Sequence, residues 1–419
     1  MTSYYLKLER SDDLVPPERL PYMRGLDGLR AIAVMAVVFY HADFTWATGG
    51  FLGVEVFFVI SGYLITSLLL VEWLRCGTID LRNFWLRRAR RLLPAVVTLL
   101  TVVSIASILV YRDALNRLLG DVVAAMTYVT NWFFIFRQES YFEAFGRPPL
   151  LRHLWSLGVE EQFYVLWPLI FTFGLAILGR GRSQKRTLKR FGILVATGVA
   201  ASTALMFLLY TPYEDPSRVY YGTDTRATGI LIGVLLALVW MPWKLPENVA
   251  RPTRASIDTM GWISIGVLAY ILGNLSEFAP NLYRGGFLLT SLVTAVAIAA
   301  TVHPGASLGR VLDNTVMRWI GTRSYGIYLW HWPIFMILRP GFDVPWAVAP
   351  TFAVRLALTF TISELSYRYI EAPIRHNGFR AWMGGIRRRI GITSVRAATS
   401  FALAVAVVIV LIGAGLVQG

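Results

Sequence analysis

Arg30 and His41 stand eleven residues apart in the stretch GLDGLRAIAVMAVVFYHADF, and none of the ten residues between them is charged. On a helix, eleven residues turn through about 20° more than three full circles, so the two side chains share one face, roughly 16 Å apart along the axis. A guanidinium holds anions and an imidazole moves protons near neutral pH. Ionisable groups at membrane depth mark functional sites by default. An arginine at the edge of an apolar run also serves as a snorkelling anchor, and a histidine can simply mark the opposite interface. The shared face is what favours a joint role.

Further groups of the right chemistry follow along the chain. FWLRRARRLLP (84–94) crowds Arg87, Arg88, Arg90 and Arg91 against the start of an apolar run. Arginine forks match phosphate oxygens in bidentate pairs, although arginines at such a place also set membrane topology. HLWSLGVEEQFYVLWPL (153–169) carries Glu160 and Glu161 into another apolar run. Adjacent helical residues diverge by about 100°, so one glutamate can face His41 while the other faces a different helix. A buried carboxylate there would set the imidazole tautomer, or else pair with an arginine. Which of the two does so is open.

GTRSYGIYLWHWP (321–333) places Ser324, Tyr328 and His331 on one stripe of an otherwise apolar helix. The stripe either lines a cavity or hydrogen-bonds to neighbouring helices. GTDTR (222–226) offers Asp224 and Arg226, which pair with each other or with groups above them. His153, at the start of the glutamate helix, is a candidate residue on the acceptor side; His303 and His376 read as loop histidines. No HExxH or comparable ligand spacing occurs, and no Walker or dinucleotide glycine pattern, so no metal is expected.

The elements that must position these groups are membrane helices. The chain has 419 residues, 56% of them hydrophobic and 16% charged. Its mean hydropathy is +0.55. Apolar runs of about 18 residues recur throughout, each long enough for a bilayer core of roughly 30 Å. The fold class is all-α, a polytopic helical bundle; the ten-residue alternation of a barrel is absent. Spans read near 27–44, 51–73, 92–111, 157–178, 191–210, 226–241, 261–275, 286–302, 324–338, 348–370 and 396–417. These are ten core crossings and one extra C-terminal helix.

Charge orients the bundle. Of 40 basic residues only four are lysines, and the net charge of +15 gathers in the segments 75–91, 179–190 and 375–396. In a soluble protein such a charge suggests nucleic acid; here it reads as the excess of arginine that keeps loops in the cytoplasm, so no nucleic-acid partner is expected. All three loops and the N-terminal residues 1–20 are therefore placed inside. Three crossings cannot join two inside loops, so the apolar segment 120–136 is expected to be re-entrant or interfacial. Residues 112–156 then form an extracytoplasmic cap. Residues 376–395 form a basic cytoplasmic linker, and 396–419 an extra transmembrane helix with its C-terminus outside, suited to tethering a further external domain. No cleavable signal peptide is expected, because Met1–Pro21 lacks an apolar core. The single cysteine, Cys76, excludes an internal disulfide. A carrier would share the many spans, but no internal repeat or pair of broken helices is visible.

Taken in order, RGLDGLRAIAVMAVVFYH, GGFLGVEVFFVISGYLI, FWLRRARRLLP, HLWSLGVEEQFY, DTRATGILIG and SYGIYLWHWP resemble acyltransferase family 3, the integral-membrane O-acyltransferases. The resemblance covers roughly residues 20–375. It implies ten helices around a site reached by acyl-CoA from the cytoplasm, in the plasma membrane of a bacterial cell. The donor would be acetyl-CoA or another acyl-CoA, and the acceptor a hydroxyl of a carbohydrate or glycolipid. The family's arginine–histidine pattern falls on Arg30 and His41, its arginine-rich motif on Arg87, Arg88, Arg90 and Arg91, and its paired acids on Glu160 and Glu161. Glu55, in GVEVFF, stands where an aspartate is common. Some members carry an extra helix leading to an external SGNH-type domain, which the span 396–417 resembles.

Overall fold

The computed structural model describes residues 16–109, 115–142 and 148–379. The expected eleventh span and nearly all of the expected basic linker lie outside the described residues, as does the start of the N-terminal segment. Fourteen helices follow one another: α1 (Gly25–Tyr40), α2 (Gly53–Cys76), α3 (Leu81–Leu109), α4 (Leu115–Met126), α5 (Thr130–Phe136), α6 (Trp155–Gly179), α7 (Gln184–Leu209), α8 (Ser217–Tyr221), α9 (Thr223–Val239), α10 (Arg251–Asn274), α11 (Phe287–Val302), α12 (Leu308–Leu312), α13 (Thr315–Ile337) and α14 (Val348–Ser366). No strand occurs among the described residues. Among the described residues eight helical segments are long and apolar enough to cross a membrane: those of α2, α3, α6, α7, α10 and α14, and those of α9 and α11 with their flanking turns, Thr223–Lys244 and Leu282–Val302. Length and composition thus support eight of the ten expected core crossings. The other two long helices, α1 with 16 residues and α13 with 23, are the ones that carry His41 and His331.

The segment 120–136 does not form one crossing helix. It divides between α4 and α5, which break at Tyr128, held at a φ of 57°. Twelve and seven residues reach only about 18 Å and 10 Å, short of a bilayer core.

Local chemistry sets the helix ends. Asn314 caps α13 by accepting the Met317 amide at 3.0 Å. Gly77, at a φ of 71°, stops α2 in the left-handed conformation that glycine adopts without strain. Prolines inside helices free the carbonyl four residues back, and neighbouring side chains take those carbonyls up. Pro168 frees Tyr164 O, which accepts from Trp85 Nε1 at 3.1 Å; Pro333 frees Leu329 O, which bonds His153 Nε2 at 3.0 Å.

Successive long helices alternate in direction, giving the bundle an Arg30 end and a His41 end. At the Arg30 end the start of α10 meets the loop before α12, where Asp258 accepts the Ser307 hydroxyl at 2.9 Å. At the His41 end Thr48 donates to Gly273 O at 3.2 Å. The basic segments 75–91 and 179–190 lie at the Arg30 end. α1 packs in parallel along α13 and α2 packs along α9. Gly321 makes the first contact close: a Cβ there would run into the Asp27 carbonyl. That approach fixes the register of α13 on α1.

Candidate active site

A cavity of about 310 Å3 enters the bundle between α1, α2, α3, α6 and α13. Tyr22, Arg30, Arg88 and Arg91 line it towards the Arg30 end, and Ser156 and Tyr328 line it deep inside. Arg30 donates to Asp27 at 2.9 Å, and Asp27 also accepts from the Tyr22 hydroxyl. Burial pushes the Tyr22 phenol up to about 12, with the Asp27 hydrogen bond adding to it. Arg88 stacks its guanidinium over the rings of Phe84 and Tyr164, 5.7 and 5.9 Å from their centroids. The cavity wall therefore carries three arginines with few hydrogen-bonding partners, which suits an anion.

The five expected arginines divide. Arg30, Arg88 and Arg91 line the cavity. Arg87 points away and lies 3.6 Å from Glu72 on the surface, and Arg90 is exposed and does not line the cavity. The glutamates divide as well. Glu160 lines the cavity and accepts from the hydroxyls of Ser61 and Tyr164. Glu161 is buried beside it, with Oε1 lacking a hydrogen-bond partner.

His41 follows the last residue of α1, and its partners are not the glutamates. Its Nδ1 lies 2.9 Å from His331 Nε2, and its Nε2 lies 3.1 Å from the Tyr141 hydroxyl. The expectation that Glu160 or Glu161 orients the imidazole is corrected here, because α13 and the loop after α5 stand closer to it. The tautomers follow from the carbonyls. His331 Nδ1 faces Tyr328 O at 2.6 Å and Ile327 O at 3.2 Å, so Nδ1 carries its proton. With both rings neutral, His331 Nε2 is then an acceptor and His41 Nδ1 the donor to it. His41 Nε2 is left with a lone pair, which accepts from Tyr141. Burial pushes the Tyr141 phenol up to about 12, against the opposing pull of Arg152, so it keeps its proton near neutral pH.

Arg152 holds Tyr141 in place. Its Nη1 donates to Tyr141 O at 2.9 Å and Ser140 O at 3.2 Å, and its guanidinium lies 5.6 Å from the Tyr141 ring centroid. His153 completes the cluster, its ring 5.9 Å from that of His331. His331 and His153 are fully buried, whereas His41 keeps some accessible surface. This arrangement can take a proton from a hydroxyl that displaces Tyr141 at His41 Nε2.

Two further expectations are settled by the packing. The stripe on α13 does both of the things open to it: Ser324 and Tyr328 line the cavity, and His331 bonds to another helix. Asp224 and Arg226 do not pair with each other, since residues two apart on a helix point away from one another. Asp224 binds Arg218 at 2.7 Å. Arg226 lies 2.8 Å from Glu55, both side chains 1% exposed, and its guanidinium rests 3.9 Å from the centre of the Phe287 ring. His303 closes α11, its Nδ1 accepting the Gly305 amide at 3.1 Å, and His376 is exposed. Among the described residues no cluster of possible metal ligands occurs.

Sequence reasoning missed Tyr141, Arg152, Ser156 and Asp27. The spacing of Asp27 and Arg30, three apart on one helix, was a readable signal. Nothing near Tyr141 marks it, because its importance comes from contact with residues far along the chain.

An acyltransferase-domain model, that of acyltransferase family 3, matches residues 23–368. Peptidoglycan O-acetyltransferase OatA of Listeria monocytogenes serovar 1/2a is 45% identical over 366 residues, 87% of this chain and 58% of its own length. The putative peptidoglycan O-acetyltransferase YrhL of Bacillus subtilis is 42% identical over 362 residues, 86% of this chain and 56% of its own. The putative O-acetyltransferase SAS0844 of Staphylococcus aureus MSSA476 is 42% identical over 366 residues, 87% and 59%. The chain thus spans less than two thirds of the length of these relatives. No solved structure matches.

Proposed function

The chain belongs to acyltransferase family 3, and on that premise we propose that it moves an acetyl group from cytoplasmic acetyl-CoA to a hydroxyl of an extracytoplasmic envelope carbohydrate. The relatives' names make a peptidoglycan sugar the acceptor we favour. The observation that carries the proposal is the cavity wall of Arg30, Arg88 and Arg91, with a histidine base beyond its inner end. In this reading the Arg30 end faces the cytoplasm, in keeping with its basic loops. The arginines hold phosphate groups of the donor at the mouth, and about 310 Å3 of cavity receives its thioester arm.

The acceptor hydroxyl arrives from the opposite face and takes the place of Tyr141 at His41 Nε2. His41 removes its proton as the oxygen attacks the thioester carbonyl; the C–S bond breaks, and the proton passes from His41 to the leaving thiolate. His331 keeps His41 Nδ1 protonated, so that Nε2 remains the basic nitrogen. Glu160 and Glu161 neutralise the arginine cluster and shape the donor's path rather than touching the base. Arg87 and Arg90 contribute positive potential at the mouth.

The test uses purified protein in nanodiscs with radiolabelled acetyl-CoA and a peptidoglycan-fragment acceptor. Label should pass to the glycan with wild type. His41→Ala should abolish that transfer while CoA still binds. Transfer that survives in His41→Ala removes the base assignment.

A further inference from the structure

The donor cavity and the histidine cluster abut without opening into each other. Among the described residues lining the cavity, none is a histidine. The ring of Tyr328 stands between them: it lines the cavity, and its centroid lies 5.5 Å from that of His331 and 5.6 Å from that of His153. Its hydroxyl is held at two points. It donates to His153 O at 2.7 Å and lies 2.6 Å from Ser156 Oγ. A phenol has one proton, which the carbonyl takes, so Ser156 is the donor in the second bond. Ser156 also lines the cavity. The clamp is therefore within reach of whatever fills the inner end. Tyr328 is tied to the base as well, because its own carbonyl accepts the His331 Nδ1 proton at 2.6 Å.

We propose that Tyr328 is a gate between donor and base. It is closed in the structure, and it swings aside when an acyl thioester fills the inner cavity and competes for the Ser156 hydroxyl. The gate then sets a preference for alcohol over water, because it keeps cavity water from the His41–His331 pair until the donor is seated. This rests on the acetyl-CoA reading given above. With the gate removed, water replaces the acceptor. Its oxygen bonds to the acyl carbon, the C–S bond breaks, and its proton passes through His41 to sulfur, yielding acetate and free thiol. Tyr328 is a positioning residue in this scheme, and the ratio of hydrolysis to transfer is its signature.

The test measures thiol release from acetyl-CoA by the full chain in nanodiscs, with and without a glycan acceptor. Tyr328→Ala should raise acceptor-independent thiol release by about tenfold or more and lower transfer, as a lost gate does. Adding His41→Ala to it should abolish the gain. Ser156→Ala, which removes only the clamp, should shift the same ratio in the same direction by several-fold. Unchanged thiol release in both variants overturns the gate. If Tyr328→Ala does not fold, Ser156→Ala decides alone, and an unchanged ratio there overturns it. A wild type that transfers nothing from acetyl-CoA when acceptor is present overturns the donor reading, and the gate with it.

Discussion

In the proposed mechanism the lone pair on His41 Nε2 is the reactive feature, and it is set by a chain of single protons. The Tyr328 carbonyl fixes the proton on His331 Nδ1, and His331 Nε2 then fixes the proton on His41 Nδ1. Among the described residues only carbonyls and neutral rings take part in that chain, and no carboxylate does. His331→Ala should therefore free His41 to choose the other tautomer. Turnover should fall by about 10²–10⁴-fold, the usual contribution of a positioned base, with the KM for acetyl-CoA unchanged. A KM that rises with unchanged turnover would place His331 in donor binding instead. At this scale the sequence was legible where periodicity does the work. Periodicity put Arg30 and His41 on one face of the first helix; Arg30 lines the cavity, whereas His41 follows α1 and meets His331 and Tyr141 rather than the cavity. The partner of His41 is 290 residues away, and spacing says nothing about which helix lies alongside. The glutamates were misassigned to His41 for that reason.

The helices that bring these side chains together are held by two devices. Close approach of α13 to α1 at Gly321 keeps Arg30, Tyr328, His331 and His41 in register. Deeper in the bundle, Glu55 on α2 meets Arg226 on α9 and accepts from Ser291 on α11 at 2.6 Å. This pair has no water to fall back on, so removing one member leaves a buried charge uncompensated. Arg226→Met should lower unfolding stability in detergent by about 3–5 kcal/mol, and adding Glu55→Gln should recover part of it. An Arg226→Met protein as stable as wild type would show the pair to be dispensable. Most of the spans were readable, because apolar runs of membrane length leave few alternatives. The break of 120–136 into two short helices fits the expectation, drawn from charge balance rather than hydropathy, that it does not cross. The pairing of Arg226 was not readable, since it depends on three helices meeting.

Across the whole molecule, charge and depth are arranged along one axis. Basic loops gather at the Arg30 end, three arginines line the cavity there, and the histidine cluster sits towards the opposite end with Tyr328 in between. The helical class and the basic ends were plain from composition; the cavity and its closed inner wall required coordinates, because they arise from the packing of five helices. The central claim is that donor enters at the Arg30 end and acceptor meets His41 from the other. Cys76, exposed at the Arg30 end and the chain's one cysteine, reports orientation in sealed proteoliposomes through an impermeant maleimide. The decisive measurement supplies acetyl-CoA outside vesicles whose Cys76 faces outward and a glycan acceptor only within. The account predicts acetylated glycan in the lumen, and none from vesicles of the opposite orientation. Equal acetylation in both orientations, or acetylation only when donor and acceptor share one side, would contradict it.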